Sequence, residues 1–167
     1  MSRVIEIGKG ADRGEDRGRH RANQLLNAAM TYARLILRKY GELAPFGFSM
    51  DHEGGIARET LEIPRLPRDP QRLWKLLAEH VADRARRGQV QAVALGVNVS
   101  LSVPSAEGYV DAVDLSIEDE AGYAIQATVP YRIYGGQLRN LLPRRIAVGK
   151  MVVGDGVGKI FPGVSPR

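Results

Sequence analysis

The strongest pattern in this chain is an alternation of apolar with small or polar residues between positions 93 and 103. A period-two pattern of this length can line one surface only if the segment is a β-strand. The sequence therefore predicts one long strand whose odd-numbered face lies in the core. The odd positions hold Val93, Leu95, Val97, Val99, Leu101 and Val103, and the even positions hold Ala94, Gly96, Asn98, Ser100 and Ser102.

Further alternating runs on both sides of this segment predict an antiparallel sheet. Residues 113–117 and 123–133 alternate again, and the turn-forming stretch 118–122 separates them, so the middle of the chain reads as a meander. Earlier, residues 46–50 and 57–63 alternate on either side of Gly54-Gly55, which predicts a hairpin closed by a glycine turn.

Two segments carry apolar residues at helical spacing. Residues 21–40 form the first, with Gly41 placed to end it, and the second runs from Pro70, behind Asp69 as N-cap, to Gly88. The order α-β-β-α-β-β-β predicts the α+β class, with one antiparallel sheet of about five strands covered by two main helices. This succession resembles the profilin-like or roadblock arrangement in topology alone.

Length and composition fit one domain. The chain has 167 residues, of which 44% are hydrophobic, enough to build a core without staples. We expect a polar, mobile arm at residues 1–20, with a strand at Arg3–Ile7 as an alternative for part of it. A single α+β domain follows at 21–153, and a glycine-rich tail at 154–167. Because the chain contains no cysteine, secretory leader or apolar span, we expect a cytoplasmic protein with no membrane partner.

Charge is divided unevenly along the chain. Residues 1–40 hold nine bases and four acids, residues 41–131 hold eight and fourteen, and residues 132–167 hold seven and one. The basic ends could bind an anionic partner, or they could lie on the acidic body or in solvent. For the first alternative, the candidate anion-binding residues are Arg132, Arg139, Arg144, Arg145 and Lys150.

Residue types that carry catalysis or bind metals cluster at only one place, Asp51-His52-Glu53. Consecutive strand residues point to opposite faces, so this cluster is predicted to be a solvated hairpin turn. His80 is predicted to be a half-buried, hydrogen-bonded histidine. The run Gly154–Lys159 lacks the glycine spacing and the Ser or Thr of a phosphate loop. We therefore predict no catalytic residue, no cofactor-binding residue and no metal ligand.

Three short motifs give the chain a family resemblance. They are Gly-Glu-Leu-Ala-Pro-Phe-Gly at residues 41–47, Val-Pro-Tyr-Arg at 129–132 and Gly-Lys-Ile-Phe at 158–161. Together they resemble a group of small bacterial cytoplasmic proteins without an assigned activity, over residues 25–161. The resemblance implies a single cytoplasmic domain of bacterial origin, and it implies no catalytic or binding residue.

Three functional hypotheses remain open from the sequence. The first is a non-enzymatic, protein-binding accessory domain, for example of the immunity type, that holds another protein at a face or edge of its sheet. The small even-numbered face of residues 94–102 would allow such a close approach, unless a helix of the same chain covers it. The second is binding of nucleic acid or a phosphate ligand by the basic C-terminal residues. The third is a small hydrolase that uses Asp51, His52 and Glu53.

Overall fold

A computed structural model describes residues 13–136 and 141–161. These residues form two helices and seven strands, and all strands pair in one antiparallel sheet. The helices are α1 (Arg13–Tyr40) and α2 (Pro70–Arg86). The strands are β1 (Phe46–Met50), β2 (Ile56–Arg58), β3 (Ala92–Ser100), β4 (Asp111–Asp119), β5 (Ala124–Tyr134), β6 (Arg145–Val148) and β7 (Val152–Asp155). The predicted α+β class is confirmed, with seven strands in place of about five.

The sheet order is β2-β1-β3-β4-β5-β6, and β7 pairs with β5. Both β6 and β7 lie on the same edge of β5, since β6 pairs with residues 131–134 and β7 with residues 125–128. The segment beyond the meander thus supplies two further strands, β6 and β7. Among the described residues, no helix is long and apolar enough to cross a membrane.

Helix α1 is longer than predicted, because it begins at Arg13 and not at Arg21. Residues 13–20, assigned from sequence to a mobile arm, are helical, and Gly18 packs closely on Tyr123 at the β4–β5 turn. Small residues on the buried side of α1 let the helix approach the sheet; that side carries Gly18, Ala22, Leu25, Ala29, Ala33 and Leu37. The predicted strand at Arg3–Ile7 lies outside the described residues.

Helix α2 follows its sequence signals. The Asp69 side chain accepts a hydrogen bond from the Gln71 backbone N–H at 3.2 Å, and Pro70 occupies the first turn, where its missing N–H costs nothing. Gly88 follows the helix with φ of 68°, a conformation that favours glycine. The predicted start and end of this helix are confirmed.

The long strand β3 has a core on both faces, which corrects the prediction that its odd-numbered face alone lies inside. Ala92 and Ala94 pack with α1 in one apolar cluster, whereas Val93 and Leu95 pack with α2 in a second. Beyond Gly96 the burial falls, and the strand ends at Ser100, short of the predicted Val103.

The small even-numbered face of β3 is therefore largely occupied by the chain itself. Gly96 leaves room for the Phe46 ring, because a Cβ at this position would collide with that ring. Asn98 accepts a hydrogen bond from the Tyr131 hydroxyl at 2.6 Å. Of the face named for a partner protein, residues 94–102, Ala94 and Gly96 are covered by α1 and Phe46, whereas Asn98 and Ser100 are exposed.

Tyr131 makes the stability of this region depend on pH. Burial, reinforced by the nearby Asp111 carboxylate, raises the pKa of Tyr131 to about 12. The neutral phenol is therefore favoured by folding, and its contribution is present below the ordinary tyrosine pKa and is lost as the pH rises towards 12. We expect Tyr131→Phe to cost about 1 kcal/mol near pH 8, through loss of the hydrogen bond to Asn98. Urea denaturation from pH 8 to 12 should show a smaller decline for this variant than for the wild type.

The control for that measurement is Tyr40→Phe, because Tyr40 is exposed at the end of α1. This variant should follow the wild-type pH dependence. If Tyr131→Phe declines as steeply as the wild type above pH 10, Tyr131 does not cause the loss of stability.

Candidate functional site

The Asp51–Glu53 cluster is a hairpin turn, as predicted. Asp51 Oδ1 accepts hydrogen bonds from the backbone N–H groups of Glu53 and Gly55 at 2.9 and 2.8 Å. The ring nitrogen Nε2 of His52 lies 3.0 Å from the carbonyl oxygen of Gly88. All three side chains of the cluster are exposed, and within the described part of the chain no group of three metal-ligating side chains forms. The three side chains therefore form no convergent catalytic set of the kind that the hydrolase hypothesis requires.

A buried polar network, which sequence reasoning missed, links the β1–β2 hairpin to α2. The Glu59 carboxylate is only 3% exposed. It accepts hydrogen bonds from the Ser49 hydroxyl and from Arg84, and its Oε2 lies 2.9 Å from His80 Nε2. His80 is about one-third exposed, at 34%, which agrees with its predicted half-buried, hydrogen-bonded state.

The order of this network does not match a hydrolytic triad. In a triad the imidazole contacts the nucleophilic hydroxyl and the carboxylate stands behind the imidazole. Here Glu59 stands between Ser49 and His80, so the carboxylate binds both groups. A cleft of about 570 Å³ adjoins the network, and on its rim Arg87 pairs with Asp83 at 3.0 Å. These contacts make the network a structural tie between hairpin and helix.

The glycine-rich segment after β7 crosses the α2 face of the sheet and does not form a phosphate loop. The buried Glu118 carboxylate accepts hydrogen bonds from the backbone N–H groups of Lys159 and Ile160, at 2.8–3.0 Å. Ile160 is buried with the apolar residues of α2. The segment assigned to a flexible tail is therefore anchored as far as Phe161, the last described residue.

Four of the five candidate anion-binding residues separate into two groups. The fifth, Arg139, lies outside the described residues. Arg132 donates to the Gly108 carbonyl at 3.1 Å and lies over the Tyr109 ring. The Lys150 backbone N–H donates to Glu107 at 2.9 Å, and this bond is the main cause that lowers the pKa of Glu107. Arg132 and Lys150 thus belong to the 105–110 loop region.

Arg144 and Arg145 lie elsewhere, beside the C-terminal half of α1. Arg144 donates to the Lys39 carbonyl at 3.0 Å, and so binds one of the carbonyl groups that a helix leaves open at its end. Its side chain also packs against Gly41 and Gly136. Arg145 begins β6, opposite Tyr134 on β5.

The space between α1 and residues 142–146 is a basic groove. It consists of two adjoining hollows of about 360 and 480 Å³ that share Leu35, Arg38 and Arg144. The residues that line this basic groove are Arg34, Leu35, Arg38, Lys39, Leu142, Pro143, Arg144, Arg145 and Ile146.

Among the residues that the structure describes, no Asp or Glu lines the basic groove. The sequence contains no Asp or Glu from residue 17 to 41, or from 121 to 154, and these stretches include both walls. None of the ion pairs found among the described residues involves Arg34, Arg38, Lys39 or Arg145. The α1 wall was not among the predicted candidates, although its lack of acids was visible in the sequence.

Comparison with known proteins adds no identification. The chain matches no known protein family, no curated protein and no solved structure.

Proposed function

We propose that this protein binds single-stranded nucleic acid in the basic groove, through contacts to the phosphate backbone. The observation that carries the proposal is the side-by-side placement of two basic segments that are more than 100 residues apart in sequence. No acidic side chain among the described residues lines the groove that they form. Like charges held close together repel and destabilise the folded state. A bound polyanion would replace that repulsion with attraction.

The chemistry of the groove supports phosphate as the ligand group. Apart from Arg144, the basic residues of the groove include three arginines, Arg34, Arg38 and Arg145. Guanidinium groups bind phosphate with two parallel hydrogen bonds. Arg144 is left out of this set because it binds the end of α1. All three line the same hollow, so a phosphate backbone that lies in it would be close to each of them.

The shape and the apolar residues of the groove favour a single strand over a duplex. Exposed Leu35 and Leu142 lie between the basic side chains, and exposed Tyr40 follows Lys39 at the end of α1. Unpaired bases can pack on such apolar and aromatic groups, which a duplex keeps covered by stacking. This favours the nucleic-acid hypothesis over the partner protein expected first from the sequence, since α1 and Phe46 cover Ala94 and Gly96 of the sheet face named for that partner.

The proposal is tested by the fluorescence anisotropy of a labelled oligodeoxythymidine, titrated with protein between 50 and 200 mM salt. We expect binding that weakens steeply as salt rises, because each phosphate contact releases a counterion. The triple variant Arg34→Ala/Arg38→Ala/Arg145→Ala should lose about three contacts. The slope of log affinity against log salt should then decrease by about two for a single strand.

The matched control is Arg65→Ala/Arg68→Ala/Arg72→Ala, which removes the same charge from exposed positions at and before the start of α2. This variant should keep the wild-type salt slope. Equal losses in the two triple variants would mean that net charge alone attracts the oligonucleotide. Binding of poly-glutamate with the same affinity and the same sensitivity to the groove variant would point to an acidic protein segment instead.

A further inference from the structure

The outer edge of β7 is an exposed, apolar strand edge. Strand β7 pairs with β5 on one side, and no strand within residues 13–136 or 141–161 pairs with its other side. Val152 and Val153 are 64% and 50% exposed although they lie within a strand, and Met151 just before them is also exposed. Proteins normally protect such edges with charge, proline or a covering segment, because open edges pair with other strands.

The register shows which backbone groups of this edge point outward. The Gly156 N–H donates to the Ala124 carbonyl at 3.0 Å, so these two residues form a hydrogen-bonded pair. Every second residue of an antiparallel strand repeats that pattern, and Val152 and Gly154 therefore point their backbone groups to β5. The N–H and C=O groups of Val153 and Asp155 point outward, away from the sheet.

We propose that two copies of this chain associate by antiparallel pairing of their β7 edges about a two-fold axis through Val152. In this register Val152 lies opposite the partner's Val152, and Met151 lies opposite the partner's Val153. Every exposed apolar side chain of residues 151–153 then meets another apolar side chain.

The same register also agrees with the hydrogen-bonding pattern and with the charges. The N–H and C=O groups of Val153 point outward, so in this register they face the backbone of the partner's Met151 and can bond to it. Lys150, which precedes the apolar run, lies opposite the partner's uncharged Gly154. Within residues 150–154 no like charges meet, and the apolar run 151–153 is complementary to the same run of a second copy.

A single-cysteine variant tests the register directly, because the native chain contains no cysteine. At the two-fold axis the two Val152 residues form a non-hydrogen-bonded pair, in which the Cα atoms are about 4.5 Å apart. This separation suits a disulfide. In the full chain, without nucleic acid, we expect Val152→Cys to form a covalent dimer in oxidised glutathione at least tenfold faster than Val103→Cys. Val103 is an even more exposed loop residue.

Analytical ultracentrifugation gives an independent readout. The wild type should show a dimer whose fraction rises with concentration, as expected for a small interface. Val153→Pro should be monomeric with unchanged helix content, because the proline removes an N–H that points outward and leaves the bonds to β5 intact. The proposal is overturned if the wild type stays monomeric, if Val153→Pro still dimerises, or if the two cysteine variants cross-link equally. A monomer would indicate that another segment, such as residues 1–12, or another protein takes the edge.

Discussion

Glu59→Ala is expected to lower the free energy of unfolding by about 3 kcal/mol, since removal of one partner from a buried ion pair leaves the others uncompensated. The buried Ser49 hydroxyl loses its acceptor, and Arg84 and His80 lose theirs. The loss should stay near the lower end of the range for buried pairs, because Arg84 and His80 are about one-third exposed and can regain water. Urea denaturation at neutral pH measures the change.

Glu62→Ala is the matched control for this prediction. Glu62 lines the same cleft but is exposed, so its removal should change stability by less than about 0.5 kcal/mol. If Glu59→Ala were as stable as the wild type, the network would not be the tie between hairpin and helix. Any nucleic-acid binding should persist in a folded Glu59 variant, because the basic groove and the network share no residue.

The elements that the sequence predicts well are those whose signals are local. Helix α2 carries its own N-cap, its first-turn proline and its terminal glycine, and all three act where the sequence places them. The β1–β2 hairpin depends on the same kind of signal, the Gly54-Gly55 turn, but β2 spans only Ile56–Arg58 and not the predicted residues 57–63. The start of α1 is the counterexample: residues 13–20 are too polar for an apolar pattern, and contacts of Gly18 and Arg21 with the β4–β5 turn stabilise the helix there.

Contacts between residues far apart in sequence could not be predicted from such local signals. Glu59 occupies an alternating position between Ala57 and Leu61, and nothing nearby in sequence indicates that Arg84 will approach from a helix 25 residues later. The basic groove depends likewise on the meeting of α1 with residues 142–146. The two basic stretches were visible in the sequence, but their adjacency is set by Arg144, which reaches the end of α1.

The odd-numbered face of β3 is covered unevenly along the strand, so neighbouring residues of that face differ in burial. Leu95 is fully buried against α2, whereas Val97, two residues further along the same face, is only half-buried. A sequence pattern treats the two positions alike, because it reports which residues share a face and not where the covering helix ends.

Leu95→Ala should therefore lower the free energy of unfolding by about 2–5 kcal/mol, because it leaves a cavity between β3 and α2 as well as losing apolar burial. Val97→Ala, which loses fewer buried methyl groups, should cost about 1 kcal/mol or less. Urea denaturation of both variants at equal protein concentration measures the difference. Equal losses of unfolding free energy in the two variants would mean that Val97 is covered as completely as Leu95. A negligible cost for Leu95→Ala would mean that α2 does not pack on this face.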